Sequence, residues 1–159
     1  MAPTVTTYSE LGQAIRRTVL LDTLHPEDTS KNRISETSSC FRVREDGIYQ
    51  VHTSTTYNAY GCPLTQTTEN MISRLSAILE NKSITTDVYG QQSIQWTEYT
   101  APTKRTRFSQ IPTSDIIAES VIVDGFMVSQ TNHTGIHASQ QRFYISTGMI
   151  LEKTDGSGN

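Results

Sequence analysis

FRVREDGIYQVHTSTTYNAY, residues 41 to 60, alternates in character on both sides of a turn, and this alternation decides the fold class. Phe41 and Val43 alternate with Arg42 and Arg44. Glu45-Asp46-Gly47 then reads as a turn, with Gly47 expected to take a positive φ that glycine adopts without steric cost. Beyond it, Tyr49, Val51, Thr53, Thr55, Tyr57 and Ala59 fall on one face. Ile48, Gln50, His52, Ser54, Thr56 and Asn58 fall on the other. A period of two, rich in β-branched and aromatic residues, is a strand signal.

The signal repeats outward. Ile34 to Ser39 reads as a polar strand leading into the pair. Gly61-Cys62-Pro63 closes the second strand, and the Thr/Gln-rich residues after it read as a loop. Ile84, Thr86 and Val88 alternate, as do Ile94 and Trp96. Ile116 to Val123 is a further strand, Asp124-Gly125 a two-residue hairpin turn, and Phe126 to Gln130 the return. Arg142 to Glu152 reads as one strand with apolar residues on both faces, suited to a sheet centre or subunit interface. HPEDTSKN (25–32), the proline-bearing 101–115 and TNHTGIHASQQ (131–141) read as loops.

Two stretches fit both periods. In 9–24, Ser9 caps a helix whose Leu11, Ala14, Ile15 and Thr18 share a face, but Val19 and Leu21 alternate. A short helix or irregular lead-in followed by a strand at 17–23 is expected. In 71–79, Met71, Leu75, Ile78 and Leu79 suit one helix face, whereas Leu75, Ala77 and Leu79 alternate; a strand is expected in this β-rich setting. Many short strands without βαβ alternation argue an all-β antiparallel jelly-roll sandwich, with room for a short N-terminal helix. Its divisions are an N-terminal extension (1–16), the sandwich (17–152) and a flexible tail (153–159).

Composition narrows the function classes. The 159 residues suit one domain. Hydrophobic residues make up 35% and charged residues 18%, and Ser, Thr, Gln and Asn fill the difference, as solvated strand faces require. The net charge of −3, with no basic arm, argues against nucleic acid. No apolar run approaches membrane-spanning length. The N-terminus lacks a basic-then-apolar leader, and Met1 argues against a processed secreted chain.

The central motif, with Gly47-Ile48-Tyr49 entering an inner strand, resembles the tumour necrosis factor and complement globular-head superfamily. Val121-Ile-Val-Asp-Gly-Phe-Met-Val is similar to that family's late hairpin, although the order here is Asp-Gly. Ser146-Thr-Gly-Met-Ile-Leu is similar to its last strand, and Thr18 to Thr23 to its first. The resemblance implies a trimer whose inner aromatics meet on a threefold axis, with Tyr49, Tyr57, Phe126 and Met149 as interface candidates. No collagen stalk or anchor accompanies it. The fold also serves virus and bacteriophage capsid decoration and fibre-head proteins, which suits a weakly charged Ser/Thr/Gln-rich chain.

Candidate chemistry is sparse. His133 and His137 have a zinc spacing, but Gly135 between them argues a loop. Asp22, His25, Glu27 and Asp28 lack the regular calcium-loop spacing. Cys40 and Cys62 read as separate thiols or one disulfide. Cys40, Cys62 and His52 offer a thiol and an imidazole, but nothing orients a third member. Asn81-Lys-Ser and Asn132-His-Thr fit the glycosylation pattern, relevant only to a secreted chain. Lys104, Arg105 and Arg107 form a basic cluster for docking onto an acidic capsid or glycan surface. The expectation is a non-enzymatic virion protein without metal or cofactor, a homotrimer binding a major capsid protein on the outer surface, with no nucleic-acid or membrane partner. The alternative is a receptor- or glycan-binding fibre head or secreted trimeric ligand, acting extracellularly.

Overall fold

Residues 47 to 57 form a strand whose burial alternates as the sequence pattern requires: Gly47, Tyr49 and Val51 are buried, while Ile48 and Gln50 are half-buried and His52 is exposed. The computed structural model describes residues 2–111, 115–134, 137–143 and 147–154. Its twelve strands are β1 (Thr4–Tyr8), β2 (Ala14–Val19), β3 (Arg33–Arg44), β4 (Gly47–Tyr57), β5 (Pro63–Arg74), β6 (Leu79–Thr86), β7 (Gln92–Thr100), β8 (Thr103–Ile111), β9 (Ile116–Val123), β10 (Phe126–Thr134), β11 (His137–Phe143) and β12 (Ile150–Thr154). No helix occurs among the described residues.

The all-β antiparallel class expected from the sequence is the one observed. The strands form a single sheet in chain order, β1 through β12, and every pairing joins consecutive strands antiparallel. A jelly roll needs strands that return across the sheet through long connections; this strand order has none.

Several local expectations change. The 9–13 stretch is a turn, not a helix: Gly12 N–H donates to the Ser9 carbonyl and takes a positive φ. The strand expected at 17–23 lies at 14–19, so the expected boundary after residue 16 falls inside β2, and Thr4–Tyr8 pairs into the same sheet. Residues 71–79 are the end of β5, a turn and the start of β6. Both helical and strand patterns fitted because two strands and their connection were being read as one element. The Thr/Gln stretch after Pro63, much of 101–115 and most of 131–141 are strand rather than loop. Their polarity reflects solvated strand faces, with cross-strand hydrogen bonds such as Thr55 to Thr65 and Thr97 to Thr106.

The strand expected at 142–152 is two strands, β11 ending at Phe143 and β12 starting at Ile150, and Ile150 and Leu151 are exposed. Of the last-strand motif Ser146 to Leu151, Ser146 lies outside the described residues and Ile150 and Leu151 open β12; of the tail expected at 153–159, Lys153 and Thr154 belong to β12 and the rest lies outside the described residues. Asp124-Gly125 forms the expected hairpin turn, with both residues at positive φ as a type I′ turn demands. Gly47 does not take a positive φ. It is needed for closeness instead: a Cβ there would collide with the Ser73 carbonyl across the β4–β5 pair, beside the bulge at Ile48/Tyr49.

Buried strand residues lie almost entirely on one face. The registers place Thr18, Ile34, Tyr49, Val51, Glu69, Ile84, Ser109 and Val121 on the Tyr49 face. Among the described residues, only Thr97 is buried on the opposite, Phe41 face. The buried apolar set is correspondingly small: Ile34, Tyr49, Val51, Ile84 and Val121. The chain exposes 10892 Å², against about 8,000 Å² for a compact folded monomer of this mass.

One connection is tightly built. Asn32 is buried in the β2–β3 loop, where its Oδ1 accepts from the Leu21 and Asp22 N–H groups and its Nδ2 donates to the His25 and Asp28 carbonyls. Thr29 Oγ1 donates to the Gly61 carbonyl, tying this loop to the β4–β5 turn.

Candidate functional site

Tyr49 is the most enclosed large side chain, at 0% exposure. Alternation on β4 aims it at the Tyr49 face, where the Arg44 guanidinium lies 5.7 Å from its ring centre. Its hydroxyl donates to Asp46 Oδ1 at 3.0 Å, and Lys82 Nζ reaches Asp46 Oδ2 at 2.7 Å. Burial foremost, and then the Asp46 carboxylate, hold the Tyr49 phenol above its ordinary pKa. Burial of Asp46 pushes its pKa up, but the bonds from Lys82 and Tyr49 outweigh this and leave it below the usual carboxylate value.

The same face carries a succession of ion pairs. Glu69, 5% exposed, accepts from Arg42 and takes Arg44 in a two-pronged contact at 2.8 and 2.9 Å. Arg107 bridges Glu98 at 3.0 Å and Glu119 at 2.6 Å. Arg16 meets Glu27 at 2.6 Å, and Arg142 meets Glu152 at 3.4 Å. Strand registers explain two of these, since Arg107 lies opposite Glu119 and Arg142 opposite Glu152; Arg16 lies opposite Glu36, 3.5 Å away, and reaches Glu27 in the β2–β3 loop as well. Beside Asp46 and Lys82 opens a cleft of about 480 Å³ on the Tyr49 face, lined by Ile78, Leu79, Ile94 and Trp96 with Glu98 at its rim.

The interface candidates separate. Tyr49 is covered by its own chain. Tyr57 is half-buried, and its hydroxyl donates to Glu36, which raises its pKa. Phe126 and Met149 are exposed at 48% and 66%. Lys104, Arg105 and Arg107 lie on β8, and each has a carboxylate partner: Lys104 with Glu80 at 2.7 Å, Arg105 with Glu119 at 3.7 Å, and Arg107 as above.

Cys40 and Cys62 are exposed free thiols. Ser39, not Cys40, lies opposite His52, so the Cys40 and His52 side chains point to opposite faces. His133 and His137 lie on β10 and β11 of one hairpin, where His133 pairs with Ala138 and Thr134 with His137. Asp22, His25 and Asp28 serve the β2–β3 loop. Asp22 accepts from the His25 ring and from Leu24 N–H, and the His25 bond foremost draws its pKa to about 2. Asp28 accepts from Ser30, which lowers its pKa. Among the described residues, no group of three or more His, Cys, Asp or Glu is placed to hold a metal ion. No helix there is long and apolar enough to cross a membrane.

Sequence reasoning missed Glu69, Asp46 and Asn32. Glu69 was not legible, because the Thr/Gln-rich residues around it read as a loop, and its partners Arg42 and Arg44 come from a third strand, so two registers are needed to bring them together. No family model matches the chain, and no curated protein or solved structure is detectably similar to it.

Proposed function

We propose that this chain is a non-enzymatic structural protein that works as a homo-oligomer, in the setting of a virion: a trimeric capsid decoration protein bound to the outer capsid surface. One observation carries the reading. One sheet, each strand of which pairs only with its neighbours in chain order, exposes 10892 Å² and leaves much of its surface for something else to cover. The excess over a compact monomer, roughly 3,000 Å², is of the size that obligate subunit interfaces bury. Few catalytic side chains converge: the exposed thiol of Cys40 and the imidazole of His52 face apart, and Lys104, Arg105 and Arg107 are engaged with carboxylates. The capsid setting rests on the weakly charged, Ser/Thr/Gln-rich composition, and the trimer on the resemblance at Gly47-Ile48-Tyr49. Several weak subunit contacts engaged at once would reinforce the shell by multivalency.

Light scattering coupled to gel filtration tests the reading. The expected molar mass is a multiple of the 17.8 kDa chain. A single-chain mass at micromolar concentration would sink it.

A further inference from the structure

The cleft beside Asp46 and Lys82 is shaped by hydrogen bonds within the chain. Ile94, Trp96 and Glu98 share one face of β7, with Lys82 opposite Trp96 and Leu79 opposite Glu98 on β6. The connection at 75–78 supplies another wall and is tied on both flanks. Leu75 N–H donates to the Asp46 carbonyl at 2.9 Å, and Tyr99 N–H donates to the Ile78 carbonyl at 2.8 Å. Between them, Ser76 Oγ accepts from the Ile78 and Leu79 N–H groups. The volume, about 480 Å³, lies within the range of about 300–1,000 Å³ typical of small-molecule sites.

The lining selects a ligand class. Trp96 and the aliphatic groups of Ile78, Leu79 and Ile94 call for an apolar surface. The charges do not call for an ion, because each is already matched: Lys82 by Asp46 at 2.7 Å, and Glu98 by Arg107 at 3.0 Å. An ionic ligand would have to break one of these pairs or lie beside a like charge. Hydrogen-bonding capacity nevertheless remains. A lysine ammonium has three donors, and each carboxylate oxygen has two lone pairs. The bonds from Lys82 to Asp46 Oδ2, from Tyr49 to Asp46 Oδ1 and from Arg107 to Glu98 Oε2 use only part of that. Lys82 and Asp46 keep 24% and 27% of their side-chain surface open, within reach of a ligand. A wholly apolar ligand would strip water from these groups and return no hydrogen bond.

We propose that the Trp96 cleft binds an uncharged saccharide, with the C–H face of one pyranose ring on the indole and its hydroxyls on Lys82, Asp46 and Glu98. The polarised C–H bonds of such a ring meet the negative face of an aromatic system favourably, and its hydroxyls both donate and accept. The site differs from the basic cluster on which the sequence places a glycan contact, since Lys104 and Arg105 are engaged with Glu80 and Glu119. It depends on neither the oligomer nor the capsid setting.

Trp96 is the sole tryptophan of the chain, so its fluorescence reports on the cleft alone. The full chain is titrated with glucose, galactose, mannose and N-acetylglucosamine, with oligomers of each, and with N-acetylneuraminic acid and decanol as charged and apolar probes. The expected result is a saturable emission change with at least one neutral sugar, at millimolar affinity for the monosaccharide, and none with the two other probes. Tighter binding of the oligomer identifies a glycan chain as the source, and equal binding a free sugar. Calorimetry then compares wild type with Trp96→Ala and Ile78→Arg, with circular dichroism as the fold control. Affinity is expected to fall about tenfold in each variant. Ile78 is 53% exposed, so its variant is expected to keep the fold and carries the comparison if Trp96→Ala does not. No saturable response to any neutral sugar overturns the site, as does a response confined to the charged or the apolar probe. Sugar binding undiminished in the folded variants overturns it too, by placing the sugar elsewhere.

Discussion

Glu69 shows how a charge is retained inside a sheet that has little apolar cover. Its carboxylate is 5% exposed, but two guanidiniums share it, and each arginine keeps part of its surface in water. Glu69→Gln keeps the shape and removes the charge, leaving Arg42 and Arg44 without their acceptor. Because both arginines remain well solvated, the expected loss is discounted to about 1–2 kcal/mol in urea unfolding. The depressed carboxylates give a second expectation at this scale. Asp46 and Asp22 have folded pKa values below the ordinary 3.8, with Asp22 near 2. Their unfolded forms bind protons first as pH falls, so their contribution is present above about pH 4 and is lost toward pH 2. Thermal unfolding between pH 5 and pH 2 is expected to show this decline, and Asp46→Asn to flatten part of it.

At the level of elements, turns and registers do the organising. The Asp124-Gly125 turn holds both residues at positive φ, and a Cβ at Gly125 would meet nothing. Gly125→Ala therefore tests backbone strain alone, with an expected cost of about 1–2 kcal/mol readable as a lower urea midpoint. The β9–β10 hairpin was legible because Asp-Gly between apolar runs has a local mechanism. Residues 103–111 were not, because Pro102, Lys104, Arg105 and Arg107 have the composition of a loop. They are a strand because Glu80, Glu98 and Glu119 on other strands neutralise them.

For the whole molecule, stability and assembly are expected to be one property. Among the described residues five apolar side chains are buried, which is little core for a sheet of this size, so the proposed oligomer predicts that subunit contacts supply what the interior lacks. Anything that binds the native state and not the unfolded one stabilises by mass action. The urea midpoint is therefore expected to rise as protein concentration is raised tenfold; a midpoint independent of concentration would show that the single chain is self-sufficient.

Alternation within Phe41–Tyr60 marked that stretch as β and sorted the residues of β4 onto two faces, and Asp124-Gly125 by itself marked a reversal of direction. These are local matters: the pleat has period two, and a type I′ turn selects its residues. The order of the strands, the enclosure of Glu69 by Arg42 and Arg44 and the role of Gly47 against the Ser73 carbonyl belong to the tertiary structure alone. Each depends on which strand lies beside which and in what register, and residues far apart in the chain set that through contacts that no short window of sequence contains.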